Sequence, residues 1–164
     1  MKIAVATKNA GKLKEFKELA EGTPYELIQM PETIRDLPPE TGETFYENAL
    51  IKAKFISQKL GVPAIGDDSG LEVDALDGRP GIFSARYSKT GLDNDNCLKL
   101  LNDMKRVQAE ARAARFRCCL VGYFKGKIIK SEGMLRGVIA TEFKGNKGFG
   151  YDPIFIPINK KKTF

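Results

Sequence analysis

In AIGDDSGLEVDALDGRPGIFSARYS, residues 64–88, Asp67 and Asp68 follow a short apolar run and precede Ser69-Gly70. Adjacent carboxylates repel each other, so the pair implies a cation opposite it or a shifted proton. An ionised carboxylate can hold Mg2+ through oxygen, and that ion keeps coordination positions for phosphates. Its neighbour, or the same group, can take a proton from an attacking water. Two close carboxylates without a cation push one pKa up, which makes one of them a candidate base. An Asx-type turn at a strand end explains the same residues with no chemistry at all. The stretch alone leaves both readings open. Glu40, Glu43 and Glu47 supply further carboxylates upstream. Glu47 has another role available, as the partner of Thr44 in a capping box three residues earlier.

Three other stretches can carry chemistry. In TKNAGK, Thr7 to Lys12, a small-residue loop leads from a strand into a helix, where backbone N–H groups and the helix dipole favour an anion. Lys12 can reach a phosphate, and Thr7 and Asn9 can add hydrogen bonds. The spacing is not that of a P-loop, and for these residues alone an ordinary polar turn is the better explanation. In GNKGFGYDP, Gly145 to Pro153, glycines permit close backbone approach. Phe149 and Tyr151 there offer faces for a planar base, and Asp152 can read its edge; the alternative is a glycine loop whose aromatics pack inward. In GRPGIFSARYS, Ser84 and Arg86 can serve a phosphate, or Arg86 can brace the aspartates.

The elements that position these residues follow from apolar spacing. Ile3 to Ala6 reads as a buried strand, Lys12 to Glu21 as a helix, and Tyr25 to Met30 as a second strand. Thr44 opens a helix closed by Gly61-Val62-Pro63. Two short strands, Pro63 to Gly66 and Leu71 to Leu76, are predicted on either side of the aspartates. A helix from about Asp93 to Lys105 follows, and Ala109 to Arg115 is ambiguous. Lys125-Gly126 reads as the turn of a hairpin, Met134 to Ala140 as extended, and Ile154 to Ile158 as a last strand. Alternating strands and helices plus a hairpin predict an α/β fold with a mixed sheet.

Composition narrows the classes. The 164 residues, 42% apolar and 29% charged, suit one globular domain. No run of about 18 apolar residues occurs, so no membrane span or membrane partner is expected. The N-terminus is too poor in apolar residues for a signal peptide, which implies a cytoplasmic protein. There is no histidine, so catalysis must run on carboxylates, lysine, hydroxyls or an oxygen-bound metal. Three cysteines fit neither a disulfide framework nor a zinc site. A net charge of +6 suits an anionic partner. A single-strand nucleic-acid binder needs a basic groove interleaved with aromatics, and no such stripe is visible, so no nucleic-acid partner is expected.

Taken in order, ATKNAGKLKEF, ETGETFYENALIKAK, PAIGDDSGLEVDALDGRPGIFSARYS, ARFRCCL and GFGYDPIFIP resemble the inosine triphosphate pyrophosphatase family. The resemblance runs from Lys2 to Phe164. It implies one pyrophosphatase domain, 1–164, with a mixed, elongated central sheet flanked by helices and two lobes around a nucleotide cleft. It implies Mg2+-dependent hydrolysis of ITP, dITP or XTP to the monophosphate and pyrophosphate, usually by a homodimer. Thr7, Lys8, Asn9, Ala10, Gly11 and Lys12 match the phosphate loop, and Asp68 the metal-binding, water-activating aspartate. Glu40 matches a further metal ligand and Ser69 a substrate contact, while Phe149, Gly150, Tyr151 and Asp152 match the segment that holds the base. Lys8 stands where many relatives carry glycine. The family's Ser-His-Arg segment, which follows KTF, is missing after Phe164, and its loss bears on base specificity and rate. A non-catalytic nucleotide-binding protein of the same fold is therefore the alternative.

Overall fold

The computed structural model describes residues 1–164 except Glu32, Arg35, Asn146, Lys147, Asn159, Lys161 and Phe164. The elements are β1 (Lys2–Ala6), α1 (Ala10–Leu19), β2 (Glu26–Gln29), α2 (Phe45–Leu60) and β3 (Ala64–Val73), then α3 (Asp93–Asp103), β4 (Ala113–Phe124), β5 (Lys127–Ile139) and β6 (Phe155–Pro157). The strand order is β2-β1-β3-β4-β5-β6. Strands β2, β1 and β3 run parallel, whereas β5 and β6 are antiparallel. This is the mixed α/β class that the alternation predicts. Among the described residues no helix is long and apolar enough to cross a membrane.

The chain divides into two compact units, Met1–Asp68 with Cys119–Glu132, and Ser69–Cys118 with Gly133–Phe164. In the first unit, a connection through α1 joins β1 to β2, and one through α2 joins β2 to β3. Parallel strands joined by right-handed crossovers in opposite directions place the two helices on opposite faces. One face buries Ala4, Ala6 and Ala64 against Ile56 of α2. These are alternate positions, as strand pleating requires. Gly66 continues the row, and a Cβ there would lie 2.0 Å from the Ala49 carbonyl oxygen and 2.8 Å from the Ala53 nitrogen. Alanine and glycine thus let α2 lie close on the strands. Thr44 starts α2 with the predicted capping box, its hydroxyl accepting from the Glu47 N–H while the Glu47 carboxylate accepts from the Thr44 N–H. Lys125 and Gly126, with φ of 47° and 85°, form the two-residue hairpin turn between β4 and β5.

In the second unit, Leu71, Val73, Leu100, Met104, Ile139, Ile154 and Phe155 form the core. Arg112 is buried there, donating to the carbonyls of Met104, Ile139 and Ala140 at 2.7–2.9 Å. It terminates α3 and ties that end to β5, a role that its place in a polar, ambiguous stretch does not announce.

Residues 63–76 correct the sequence reading. The two short strands flanking a turn are one continuous strand, β3, running through Asp67, Asp68 and Ser69, followed by a short 3-10 helix at Asp74–Leu76. No turn lies at the aspartates, so the Asx-turn explanation falls. Ala109 to Arg115 resolves into a 3-10 turn, Ala109–Ala111, and the start of β4.

Candidate active site

Consecutive strand residues point to opposite faces, and the aspartate pair is buried on both. Asp67 and Asp68 are 6% and 7% exposed. On one face the Lys12 ammonium, from the first turns of α1, donates to the Asp67 carboxylate. On the other, Asn48 Nδ2 of α2 donates to Asp68 Oδ2 at 3.1 Å, and Lys52 Nζ lies 3.6 Å from Asp68 Oδ1. Each carboxylate of the pair therefore faces a lysine of its own, from a different helix.

Register explains why these groups meet. Ala6 pairs with Gly66, so Asp67 and Asp68 stand just beyond the carboxyl end of β1, level with the loop that opens α1. Strand β1 leads to β2 on one side and β3 lies on the other. In open α/β sheets this reversal of strand order, at the carboxyl ends, is where ligands bind.

The phosphate-loop candidates lie here. Asn9 caps α1, its side-chain oxygen accepting from the Lys12 N–H at 3.1 Å, and Thr7 Oγ1 accepts from the Asn9 N–H at 3.1 Å. Lys8 instead pairs with Asp36 at 3.1 Å on the surface. Gly11 lies in the first turn of α1 and Ala10 opens it; the Ala10 side chain is outside the described residues.

Glu40 joins the same cluster. Its carboxylate accepts from Lys52 Nζ at 2.8 Å, so Glu40 and Asp68 converge on one ammonium. Burial holds the Asp68 carboxyl above its ordinary value, Lys52 and Asn48 oppose the shift, and the charges of Glu40 and Asp67 add to it. Among the described residues no three acidic or thiol groups gather as a ready-made metal cage. Two hard oxygen donors meeting on one cation nevertheless match the demand of Mg2+, which is commonly held by one or two carboxylates together with substrate phosphates. Glu47 is engaged in the capping box, accepting also from the Glu43 N–H at 2.7 Å.

Asn48 and Lys52 escaped the sequence reading, although a signal was present. Phe45, Asn48, Ala49, Lys52, Ala53 and Ile56 form one helical stripe, all buried. Two polar residues within an apolar stripe mark a polar partner on the facing strand.

In the second unit, Ser69 is half-buried in β3. The loop before β6 is held from several sides. The Phe149 N–H donates to Asp152 Oδ2 at 2.9 Å, and the Gly150 N–H donates to Asp93 Oδ2 at 2.7 Å. The Cys97 thiol donates to the Gly150 carbonyl at 3.3 Å. Burial, with Asp93 nearby, pushes the Asp152 carboxyl up against the opposing Phe149 bond. Phe149 remains half exposed, at the edge of a pocket of about 460 Å3 lined also by Asp93, Asn94, Leu98, Phe143 and Pro153. Asn146 and Lys147 of the same glycine-rich stretch lie outside the described residues.

Tyr151 departs from the sequence expectation. It is 4% exposed within the core, and its hydroxyl donates to the Ser84 carbonyl at 2.8 Å. Its ring supports the loop and presents no stacking face. Ser84 is structural too: its hydroxyl donates to the Gly81 carbonyl and accepts from the Leu71 N–H. Arg86 stacks on the exposed Phe83 ring at 5.3 Å.

All three cysteines are unbridged. Cys97 is fully buried with its thiol pushed up to about 12, mainly by burial, Cys119 is buried, and Cys118 is half-buried. A thiol reagent is expected to modify one cysteine in the native protein, Cys118, and all three after denaturation; peptide mapping of the labelled site checks this.

Residues 3–164 match the model of the Ham1 family. The chain is 45% identical over 162 residues to a dITP/XTP pyrophosphatase of Bacillus subtilis (strain 168), covering 97% of this chain and 82% of that protein. It is 49% identical over 161 residues to the dITP/XTP pyrophosphatase of Oceanobacillus iheyensis, covering 95% and 81%. A HAM1 protein from Coxiella burnetii superposes with a TM-score of 0.91 at 36% identity, covering 99% of this chain and 85% of that one. The Staphylococcus aureus Ham1 protein gives 0.86 at 39%, covering 99% and 84%. Over nearly its whole length, in sequence and in fold, the chain belongs to the Ham1 family.

Proposed function

We propose that this chain is a hydrolase acting on the acid anhydride of deaminated purine nucleoside triphosphates, releasing the monophosphate and pyrophosphate. The relatives named dITP/XTP pyrophosphatases support the substrate class. The observation that carries the chemistry is the burial of Asp68 beside Glu40 and Lys52, its proton affinity raised by that burial, with Lys12 on the neighbouring Asp67.

In this reading water attacks the α-phosphorus and gives its proton to the Asp68 carboxylate. The bond from the α-phosphorus to the bridging oxygen breaks, and pyrophosphate leaves with the electron pair. Lys12 leaves Asp67 for the triphosphate, and Lys52 offsets charge on the opposite side of the strand. Backbone N–H groups at the start of α1, set by Asn9 and Thr7, face the anion. Asp68 and Glu40 would hold Mg2+, which when bound neutralises triphosphate charge. The family resemblance assigns the base to the Phe149 segment, and the half-exposed Phe149 ring supplies a stacking face. A homodimer acting in the cytoplasm rests on that resemblance and on the unbridged thiols; gel filtration with light scattering tests the assembly.

The test is a nucleotide panel. With Mg2+, pyrophosphate release from ITP or XTP is expected to exceed that from ATP by at least about 100-fold, the discrimination available to a site that pairs a specific polar edge. A chelator is expected to remove it. Tight ITP binding with no release from any nucleotide would contradict the hydrolase reading and favour the non-catalytic binder.

A further inference from the structure

We propose that Asn48 is a positioning residue that sets both carboxylates of the Asp68–Glu40 site through one buried amide; the inference rests on the hydrolase reading above. Asn48 is fully buried. Its Nδ2 donates to Asp68 Oδ2 at 3.1 Å, and its Oδ1 accepts from the Gly42 N–H at 2.8 Å. The reverse amide orientation would set oxygen against carboxylate and NH2 against N–H, so only one orientation satisfies both partners.

Gly42 stands two residues after Glu40, whose carboxylate is held by Lys52 at 2.8 Å. Lys52 in turn lies 3.6 Å from Asp68 Oδ1. The contacts close a ring: Asp68 to Asn48, to Gly42, along the chain to Glu40, to Lys52 and back to Asp68. Asn48 and Lys52 thus address different oxygens of Asp68 while the same two side chains tether the Glu40 loop. That loop sits tightly on α2, since a Cβ on Gly42 would come within 2.6 Å of the Glu47 Cβ and 2.8 Å of Asn48 Oδ1.

Helix stability does not account for Asn48. The start of α2 is already capped by Thr44 and Glu47, and asparagine inside a helix is a poorer choice than alanine or leucine. What the amide fixes is the rotation of the Asp68 carboxylate and the approach of Glu40.

The test compares Asn48→Ala with Thr44→Ala, which weakens the same helix start without touching Asp68. Two readouts are taken: Mn2+ binding to the full chain, by the paramagnetic resonance of free Mn2+, and steady-state pyrophosphate release with ITP. Loss of an outer positioning partner characteristically costs about 10–100-fold in metal affinity or rate. Asn48→Ala is expected to weaken Mn2+ binding about tenfold and to lower kcat at least tenfold, with the KM for ITP within about threefold. Thr44→Ala is expected to stay within about twofold in all three. Asn48→Asp keeps the acceptor for Gly42 and lacks the donor to Asp68; it is expected to lose kcat likewise, and it serves if the alanine variant fails to fold. Mn2+ affinity and kcat within twofold of wild type in the folded Asn48 variants would overturn the proposal, as would a parallel loss in Thr44→Ala. A wild-type chain that binds Mn2+ but releases no pyrophosphate overturns the hydrolase reading instead, and the Mn2+ comparison then decides the role of Asn48.

Discussion

Asp68→Asn is expected to lower pyrophosphate release by about 10^3-fold, within the range that a positioned general base contributes. Asparagine keeps the shape, but it can accept from only one of Asn48 and Lys52, its NH2 facing the other donor, and it cannot take a proton from water. The same substitution is expected to remove Asp68's part of the pH dependence of the metal-free protein's stability. Burial holds the Asp68 carboxyl above its ordinary value in the fold. A carboxyl whose folded value stands above its unfolded one binds its proton more tightly when folded, so stability falls as pH rises from the unfolded value through the folded one. Above the folded value that cost is fully present, and asparagine, which carries no charge, does not incur it. Thermal melts of both proteins in a chelator over a pH series check this. A large loss of rate with a large loss of stability would mean that Asp68 is structural.

Gly66→Ala is expected to be the most damaging single methyl in the chain. The new Cβ would meet the Ala49 carbonyl oxygen at 2.0 Å, and backbone cannot rotate aside as a side chain can. Overpacking of this kind costs about 1–3 kcal/mol or more. For a domain of this size that corresponds to a fall of about 3–10 °C in melting temperature. Because α2 must lift, Asn48 and Lys52 retreat from Asp68, and activity is expected to fall beyond what the lost stability explains. Gly133→Ala is the control, since a Cβ there meets nothing within 4 Å; it is expected to leave both unchanged. Scanning calorimetry and an ITP assay below the transition compare the two.

The features legible in the sequence were those written in local terms. The capping box of Thr44 and Glu47 needs only four residues, and the Lys125-Gly126 turn only two, so each is visible without tertiary knowledge. The strand through Gly66-Asp67-Asp68-Ser69 was not visible, because glycine, aspartate and serine are turn formers by composition. Gly66 is paired with β1, β4 flanks β3 on the other side, and a lysine from a helix holds each aspartate. The aspartate pair stands out in the sequence as a candidate for chemistry, yet strand pleating gives each carboxylate its own lysine, which spacing along the chain cannot reveal. Tyr151 marks a further limit: aromatic spacing in a glycine-rich loop does not say which ring turns inward, and the Ser84 carbonyl that draws its hydroxyl in lies 67 residues away. Asn48 and Lys52 were readable in principle as polar breaks in an apolar stripe.

In the proposed reaction water, relieved of its proton by Asp68, attacks the α-phosphorus. A single turnover of ITP in H2-18O, followed by mass spectrometry of both products, tests it most directly. The label is expected in the monophosphate alone. Label in pyrophosphate would place the attack at the β-phosphorus and contradict the proposed reaction.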